Sequence, residues 1–532
     1  MLKIIKASIR FFYNNLHLNK YDKAYIRHNK KKWKSYIPTK NNGKIILVDL
    51  FPWNPFIHFW SYLTNILSKN FNAEIKFFYF DLYGGRLSRT SLFIYKLKKI
   101  FKSFNVNEGI SEYNFKYSQN ELSRYEKLFY KFGRNKKKLL NYRKDDIKIG
   151  DLIYDTYLRI TYKPTIDLND KKFRLIFFRA EKIYEECKNF FKINNVVCVV
   201  PSHTCYINFG IISRLALKLD IPVIKIRPEN RGNALFKLIK IDSKYKVDEF
   251  PYYNYKKIFR KFSNKKKIEA LKIGKKLLSL RISGKYDKNL PFMPISQFSK
   301  NLKINKKIKI RQKEKIIIFP HCYFDNPHRF RYMIFEDFYE QIKYFLDLSK
   351  KLNNYDWYYK PHPNELRGDL DVHKTLLKDF PNIQYLDKST GHNDIIKLNP
   401  KCIITNHGTI AHEYAAFDIP VINTGDNHHV DYDFSLHIKT KKKLDEVMYN
   451  LEKYCKKINF NKKLIYEFFY MHFHYFPNLN NENILLKNNF FADKNIKINN
   501  SSKLLYKFSK QSNLTDTNIK KYVRDFLDKN LK

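Results

Sequence analysis

The 532-residue sequence is poor in acidic residues and in glycine, and it has no long apolar run. It contains 51 Asp and Glu against 102 Lys and Arg, and only 14 glycines. Because no stretch of about 18 apolar residues occurs, the sequence predicts no transmembrane helix. Hydrophobic residues still form 44% of the chain and aromatic residues 17%, which excludes a disordered protein. A chain of this length exceeds the usual size of one hydrophobic core, so we expect two domains.

Cysteine is also sparse, and no two cysteines are spaced as C-x-x-C among the six in the chain. Cys198 and Cys402 fall within apolar runs that are typical of buried strands. This pattern favours reduced thiols in the core of a cytosolic protein over a disulfide framework.

The shortage of acidic residues leaves a formal net charge of +51. Basic residues are spread along the whole chain and do not form one stripe with interleaved aromatic residues, so we expect no nucleic-acid partner. A generally basic surface still favours anionic membranes, nucleotides and acidic glycans. Residues 1–42 form a basic leader in which Leu2, Ile5, Ile9, Phe12 and Leu16 recur at helical spacing. This helix is expected either to rest on a membrane surface or to pack on the main body.

From Gly43 onward, short β-rich runs alternate with helical patterns, which predicts parallel sheets in an α/β protein. We expect a Rossmann-type domain over 43–300, a second one over 301–450 and a helical, polar tail over 451–532. Region 98–148 gives no clear pattern, and the run 149–159 follows it. The predicted strands are 44–50, 75–80, 196–200, 221–226, 316–319, 355–359, 383–386, 402–405 and 420–423. Two such sheets make a double-Rossmann architecture with a central cleft, in which ligands bind at the carboxyl ends of the strands.

Lys360 and His362 follow a predicted strand in the sequence Lys-Pro-His-Pro. The prolines restrict the backbone of both residues to extended conformations, so the two side chains are held in place. Lysine supplies a point charge, and histidine supplies a donor whose protonated form a nearby phosphate favours. The pair is therefore a candidate phosphate site, and a proline-stiffened turn is the alternative.

A second candidate phosphate site follows the strand 402–405. There Gly408 allows a tight turn into a helix, and Thr409 is placed to cap that helix and to present its positive end. Glu413 stands one turn later, where a carboxylate can accept hydrogen bonds from a ribose or a base. His407 precedes the glycine, and an ordinary capped helix would show the same pattern.

The order K-P-H-P, N-H-G-T and H-E-Y, followed by an aliphatic-Pro-Val-Ile strand, resembles the carboxyl-terminal domain of capsule and surface polysaccharide glycosyltransferases. The capsular β-Kdo transferases and bacterial sialyltransferases belong to this group. The resemblance implies a GT-B fold with two Rossmann-type domains facing a central cleft. It also implies that His362 and Thr409 contact the nucleotide phosphate and that Glu413 lies close to the nucleoside. Where the group carries small hydroxyl residues, this chain departs from the pattern with His407.

Sugar transfer of this kind requires a base for the acceptor hydroxyl, and we expect it from the first domain. Asp49, Asp155, His203 and Glu229 stand at predicted strand ends or turns, and Asp155 and His203 are the preferred candidates. His362 is a further catalytic candidate through its contact with the leaving phosphate. In the loop 320–329, Asp325, His328 and Arg329 are candidate donor-sugar contacts, with an incidental surface loop as the alternative.

The sequence offers no recognisable metal site. Asp369 and Asp371 form a D-x-D pattern, but it lies in a predicted helix, where a solvated acidic face is the commoner explanation. Neither His407 with His412 nor His428 with His429 belongs to a zinc framework. We therefore expect no metal and no cofactor, with the nucleotide-sugar as co-substrate.

The sequence thus predicts a metal-independent glycosyltransferase acting on a nucleotide-sugar, with CMP-sugars favoured, and on a glycan or lipid-linked acceptor. The expected location is the cytoplasm, at the inner face of the bacterial membrane or in a polysaccharide assembly complex. A CDP-glycerol-type polyol-phosphate transferase of the same architecture remains an alternative, followed by a sugar 2-epimerase. From a different class, a basic nucleic-acid-binding protein also remains.

Overall fold

The computed structural model divides into two compact units, described here for part of the chain. Unit 1 comprises Met1–Thr156, Asn169–Lys244 and Glu482–Lys532, and unit 2 comprises Tyr157–Leu168 and Tyr245–Asn481. The predicted leader helix up to Leu16, and Glu229, lie outside the described residues. The described residues are 17–36, 43–51, 54–81, 89–228, 236–241, 252–284, 297–299, 311–329, 331–363, 368–476, 503, 505–506 and 520–531.

Unit 1 is built on a parallel sheet. The strands of this unit are β1 (Lys44–Asp49), β2 (Glu74–Tyr79), β3 (Val106–Ser111), β4 (Arg143–Lys144), β5 (Ile147–Lys148), β6 (Asn195–Val200), β7 (Ile224–Pro228) and β8 (Phe236–Lys240). Four of them form the sheet in the order β3-β2-β1-β6, and every pair is parallel. The pairs β4-β5 and β7-β8 are antiparallel hairpins. Because helices cover both faces of such a sheet, β1 and β6 are mostly apolar along their length.

The helices of unit 1 share one core with its sheet. They are α1 (Lys20–Trp33), α2 (Asn54–Phe71), α3 (Arg89–Lys102), α4 (Gln119–Leu128), α5 (Lys136–Leu140), α6 (Gly150–Thr161), whose last residues belong to unit 2, α7 (Lys171–Ile193) and α8 (Tyr206–Lys218). Trp33 of α1 and Trp60 of α2 are buried in the same cluster as Val523 and Phe526, which lie in the helical segment 520–530. The end of the predicted polar tail is therefore a structural part of unit 1.

Unit 2 contains a six-stranded parallel sheet. Its strands are β9 (Lys315–Ile318), β10 (Asp356–Tyr359), β11 (Ile383–Tyr385), β12 (Cys402–Thr405), β13 (Val421–Asn423) and β14 (Leu436–His437). Their order is β11-β10-β9-β12-β13-β14. The chain runs outward from β9 to β11 and then returns to the other side of β9 with β12. The sheet therefore has its topological switch point between β9 and β12, where ligands bind in folds of this kind.

The helices of unit 2 include four that the sequence assigned elsewhere. They are α9 (Tyr255–Arg260), α10 (Asn264–Ile282), α11 (Phe338–Lys351), α12 (Asp369–Leu377), α13 (His392–Lys397), α14 (Ile410–Tyr414), α15 (Lys441–Tyr449), α16 (Leu451–Cys455) and α17 (Lys462–Tyr470). Among these four, the expected boundaries placed α10 in the first domain and α17 in the tail. In the structure both belong to unit 2, because their apolar faces share a core that includes Leu278 and Phe468.

The two parallel sheets confirm the predicted fold class, α/β with two Rossmann-type sheets. Among the described residues, no helix is both long and apolar enough to span a bilayer. Asp155, which was expected at a strand end or turn, lies inside α6. The reason is the helical spacing of Ile149, Leu152 and Ile153, which are all buried.

Candidate functional site

Three histidines meet at the carboxyl edge of the unit 2 sheet, around its switch point. His321 follows β9, His362 follows β10 and His407 follows β12. The ring centroid of His321 lies 5.9 Å from that of His362 and 6.1 Å from that of His407. The structure therefore brings together the two predicted histidines and a third that the sequence reasoning missed. A signal was present, because His321 and His362 each stand three residues after the last residue of their strand, Ile318 and Tyr359.

Desolvation disfavours the protonated form of two of these histidines. It lowers the pKa of His321, and it lowers the pKa of His407 well below its ordinary value, with the charge of His321 as the next cause. His407 donates from Nδ1 to the backbone carbonyl of Asp426. Nδ1 of His321 is buried and has no hydrogen-bond partner within the described part of the chain. An anion placed here would supply that partner and would raise these pKa values.

Lys360 lies next to the cluster, but its ammonium group is turned into the loops. It is buried, and Nζ lies 3.4 Å from the carbonyl oxygen of Pro361 and 3.3 Å from that of Lys388. It also lies over the ring of Phe319, 5.7 Å from the centroid. In this structure Lys360 therefore ties the loop after β10 to the loop after β11.

Gly408 and Thr409 follow β12 as predicted, but their local roles differ from the expectation. A Cβ on Gly408 would lie 2.5 Å from Oγ1 of Thr405, so steric space and not a left-handed backbone requires this glycine. Thr409 has helical dihedrals and makes no capping hydrogen bond to α14, so the predicted cap is wrong. The Thr409 side chain is exposed and remains available to a ligand.

Glu413 forms a buried ion pair with Arg281, a residue at the end of α10 that the sequence did not single out. Nε of Arg281 donates to Oε1 of Glu413 over 2.8 Å, and the two side chains are 5% and 1% exposed. Oε2 of Glu413 is buried, and no described residue donates a hydrogen bond to it. The arginine therefore fixes the carboxylate through Oε1 and leaves Oε2 to accept from a ligand.

The candidate donor-sugar contacts lie in the loop after β9 and are not gathered at one point. His328 donates from Nε2 to the carbonyl of Glu336 over 2.8 Å. Asp325 and Arg329 are exposed. Both act electrostatically on His321. Burial is the largest cause and lowers the pKa of His321, the charge of Asp325 raises this pKa, and the charge of Arg329 lowers it.

No group of three or more His, Cys, Asp or Glu side chains among the described residues has the arrangement of a metal site. Asp369, the first acid of the D-x-D pattern, is buried and accepts the backbone N–H of Tyr323 over 3.0 Å. It therefore stabilises the loop after β9. His412 packs against the aromatic rings of Phe468 and Phe469, so its surroundings are those of a core residue.

In unit 1, a hydrogen-bonded chain joins the carboxyl ends of β1 and β6. Ser202 donates its backbone N–H to Oδ2 of Asp49 over 3.2 Å, and its hydroxyl also bonds Oδ2. Nδ1 of His203 lies 2.9 Å from the Ser202 hydroxyl oxygen. Burial raises the pKa of Asp49 to about 7, although both bonds from Ser202 lower it. His203 is thus part of a built cluster, and Asp49 and Ser202 are functional candidates outside the predicted site.

Asp155, the other predicted base, lies in a different setting. It is buried in α6 one turn after Asp151, which forms a two-bond ion pair with Arg214 at 2.7 and 2.9 Å. Burial lowers the pKa of Arg214, but the charges of Asp151 and Asp155 raise it overall. Asp155 therefore adds negative charge close to Arg214.

A cavity of about 500 Å³ opens at the opposite, amino-terminal edge of the unit 2 sheet. Four lysines line it, and two of them are ion-paired, with Lys401 2.8 Å from Glu314 and Lys456 2.8 Å from Glu452. This edge lacks the converging side chains found at the carboxyl edge, and we assign no site to it.

Comparisons with known proteins return similar solved structures and nothing else. No family model matches the chain, and no curated protein matches it. Similar structures include the β-Kdo 2,4 transferase KpsC of Thermosulfurimonas dismutans, with 12% identity, a TM-score of 0.32 and coverage of 52% of this chain and 79% of that one. They also include the UDP-GlcNAc 2-epimerase of Neisseria meningitidis bound to UDP-GlcNAc, with 12% identity, a TM-score of 0.25 and coverage of 80% of this chain and 98% of that one.

The wall teichoic acid polymerase TagF is a third similar structure, with 11% identity, a TM-score of 0.22 and coverage of 96% of this chain and 100% of that one. A capsular β-Kdo transferase is thus among the similar structures, as the sequence motifs led us to expect. Likenesses this distant carry no argument about activity. The fold assignment rests on the strands and helices described above.

Proposed function

We propose that this chain is a glycosyltransferase that moves a sugar from a nucleotide-activated donor to a glycan or lipid-linked acceptor in surface polysaccharide synthesis. The observation that carries the proposal is the convergence of His321, His362 and His407 at the switch point of the unit 2 sheet. The carboxyl edge at such a point is where α/β sheets bind nucleotides and similar ligands.

The histidine cluster receives the phosphate end of the donor. As the bond from the sugar to the phosphate breaks, negative charge grows on the departing nucleotide. Donors already fixed around that phosphate stabilise the charge more in the transition state than in the ground state. His362 is half-buried, like His321 and His407, and it belongs to the same Lys-Pro-His-Pro turn as Lys360, so we assign it the contact with the leaving phosphate. Thr409 offers its exposed hydroxyl to the same group.

The nucleoside end is assigned to Glu413. Its open oxygen, Oε2, accepts a hydrogen bond from a ribose hydroxyl, and Arg281 holds the carboxylate in place through Oε1. CMP-sugars are the favoured donors on the strength of the family resemblance. We also propose that no metal ion takes part and that His203 or Asp155 removes the proton of the acceptor hydroxyl. The basic composition favours a location at the inner face of the cytoplasmic membrane.

A donor screen with purified protein tests the proposal. Wild-type protein is supplied with CMP-, UDP- and GDP-sugars and with CDP-glycerol, and the release of nucleotide is measured. We expect turnover of a nucleotide-sugar, and we expect the His362→Ala variant to lose it while keeping its melting temperature. His17→Ala, a variant of an exposed histidine, serves as the matched control and should keep the wild-type rate.

Two results of this screen contradict the assignment. Undiminished turnover by His362→Ala removes the phosphate role of that residue. Turnover of CDP-glycerol alone identifies a polyol-phosphate transferase, in which the histidines would hold the phosphate that is transferred.

A further inference from the structure

Asp49, Ser202 and His203 lie at the switch point of the unit 1 sheet, the position that corresponds to the histidine cluster in unit 2. β1 has β2 on one side and β6 on the other, and the chain runs outward through β2 and β3 before it returns with β6. Asp49 is the last residue of β1, and Ser202 and His203 follow β6. Asp49 is 3% exposed and Ser202 is 1% exposed, so the chain of hydrogen bonds is shielded from water.

The direction of the hydrogen bonds follows from the groups involved. Above a pH of about 7, the raised pKa of Asp49, this carboxyl group is ionised and only accepts, so the Ser202 hydroxyl donates its one proton to Asp49. The hydroxyl oxygen then accepts from His203, which requires the proton of the neutral imidazole to be on Nδ1. The lone pair of the ring is therefore on Nε2, the nitrogen that faces away from Ser202.

The imidazole is also held in place by its surroundings. Its ring centroid lies 5.2 Å from that of Phe51 and 5.3 Å from that of Phe209. The turn that carries it enters α8 through Tyr206, whose φ of 61° is unusual for a bulky residue. The backbone N–H of Ile207 donates to the hydroxyl of Thr156 on α6 over 2.9 Å, which fixes the end of this turn. A turn held in an unfavourable conformation by its neighbours is typical of a functional position.

We propose that His203 is the general base of the transfer and that Asp49 and Ser202 are its positioning residues, an inference that rests on the proposed function. The acceptor is a hydroxyl group of a glycan or lipid-linked sugar. Its proton moves to Nε2 of His203 while its oxygen forms a bond to the anomeric carbon of the donor. The bond from that carbon to the phosphate oxygen breaks, and its electron pair leaves with the nucleotide. The imidazolium that results donates through Ser202 to the carboxylate of Asp49, which stabilises its charge.

One experiment tests the hydrogen-bonded chain without any need for activity. Full-length protein carrying ¹⁵N-histidine is examined by NMR at pH 8, and His203 is identified by comparison with His203→Gln. We expect the shift of a protonated nitrogen at Nδ1 and of an unprotonated nitrogen at Nε2. Ser202→Ala should move the proton toward Nε2, whereas Ser213→Ala should not. Ser213 is a matched control because it is a buried serine on α8 that bonds only the carbonyl of Phe209. A proton on Nε2 of His203 in the wild-type protein would falsify this chain of hydrogen bonds.

A second experiment tests the catalytic role with the donor found in the screen. His203→Ala should lower kcat by ~10²–10⁴-fold, the usual contribution of a general base, and leave the KM of the donor nearly unchanged. Ser202→Ala and Asp49→Asn should lower kcat by about 10-fold or more, and Ser213→Ala should not. Added imidazole should restore part of the activity of His203→Gly.

The outcomes separate this inference from the proposed function. If the wild-type protein turns over a donor and the His203→Ala variant has the same kcat, the role of His203 is overturned and the glycosyltransferase assignment stays in place. A wild-type protein that binds no nucleotide and turns over no donor overturns both.

Discussion

At the scale of single residues, the candidate residues of each unit depend on a pairing that is invisible in the sequence. Glu413 was predicted near the nucleoside from its spacing, but Arg281 precedes it by 132 residues and has no motif of its own. His321 belongs to the cluster because β9 lies between β10 and β12 in the sheet, an order that the sequence does not show. Asp49 and Ser202 are neighbours because β1 pairs with β6, which the sequence also does not show. Residue types and strand ends could be predicted, whereas partners across the sheet could not.

The open oxygen of Glu413 gives a prediction about ribose recognition. If Oε2 accepts from a ribose hydroxyl, wild-type protein should bind CMP about 10-fold more tightly than its 2′-deoxy form, a difference of ~1.4 kcal/mol. Glu413→Gln should lose that preference, because the carboxylate that accepts the hydrogen bond is gone. Calorimetric titration with the two nucleotides measures the ratio, and Glu340→Gln on α11 is the control. A preference that persists in Glu413→Gln would place the ribose elsewhere.

At the scale of elements, buried strands were the most predictable feature. Runs such as 44–50 and 402–405 match β1 and β12 to within a residue, because strands covered on both faces are continuously apolar. β3 was missed because it lies at the edge of its sheet, where Asn107 and Glu108 are exposed and break the apolar run. The helices α10 and α17 were given to other domains because helical periodicity shows which face is buried but not what covers it.

The packing of α10 on α17 provides a second prediction. A Cβ on Gly274 would lie 1.9 Å from the carbonyl oxygen of Tyr466, so the two helices must separate if it is replaced. Gly274→Ala should therefore lower the melting temperature, although alanine favours an isolated helix by about 1 kcal/mol. It should also weaken nucleotide binding, because Arg281 is carried on the same helix. Ser279→Ala, at an exposed position of α10, is the control. Thermal unfolding with and without CMP measures the melting temperature and the stabilisation by nucleotide. A Gly274→Ala protein with the wild-type melting temperature would contradict the packing.

At the scale of the whole molecule, length and composition correctly indicated two α/β units. The boundaries could not be read from composition, because the chain crosses between units more than once. Residues from both ends of the chain, including Trp33 and Phe526, complete the core of unit 1. The lysine-rich, glycine-poor composition masks such contacts, since segments that pack in a core resemble polar linkers in their overall charge.

The central claim is that the carboxyl edge of the unit 2 sheet binds a nucleotide. A crystal structure of the protein with CMP tests it most directly. We expect the phosphate within hydrogen-bond distance of His362 and His321, and a ribose hydroxyl against Oε2 of Glu413. Nucleotide bound elsewhere, such as in the lysine-lined cavity at the amino-terminal edge, would contradict the claim, as would crystals that remain free of nucleotide at saturating CMP.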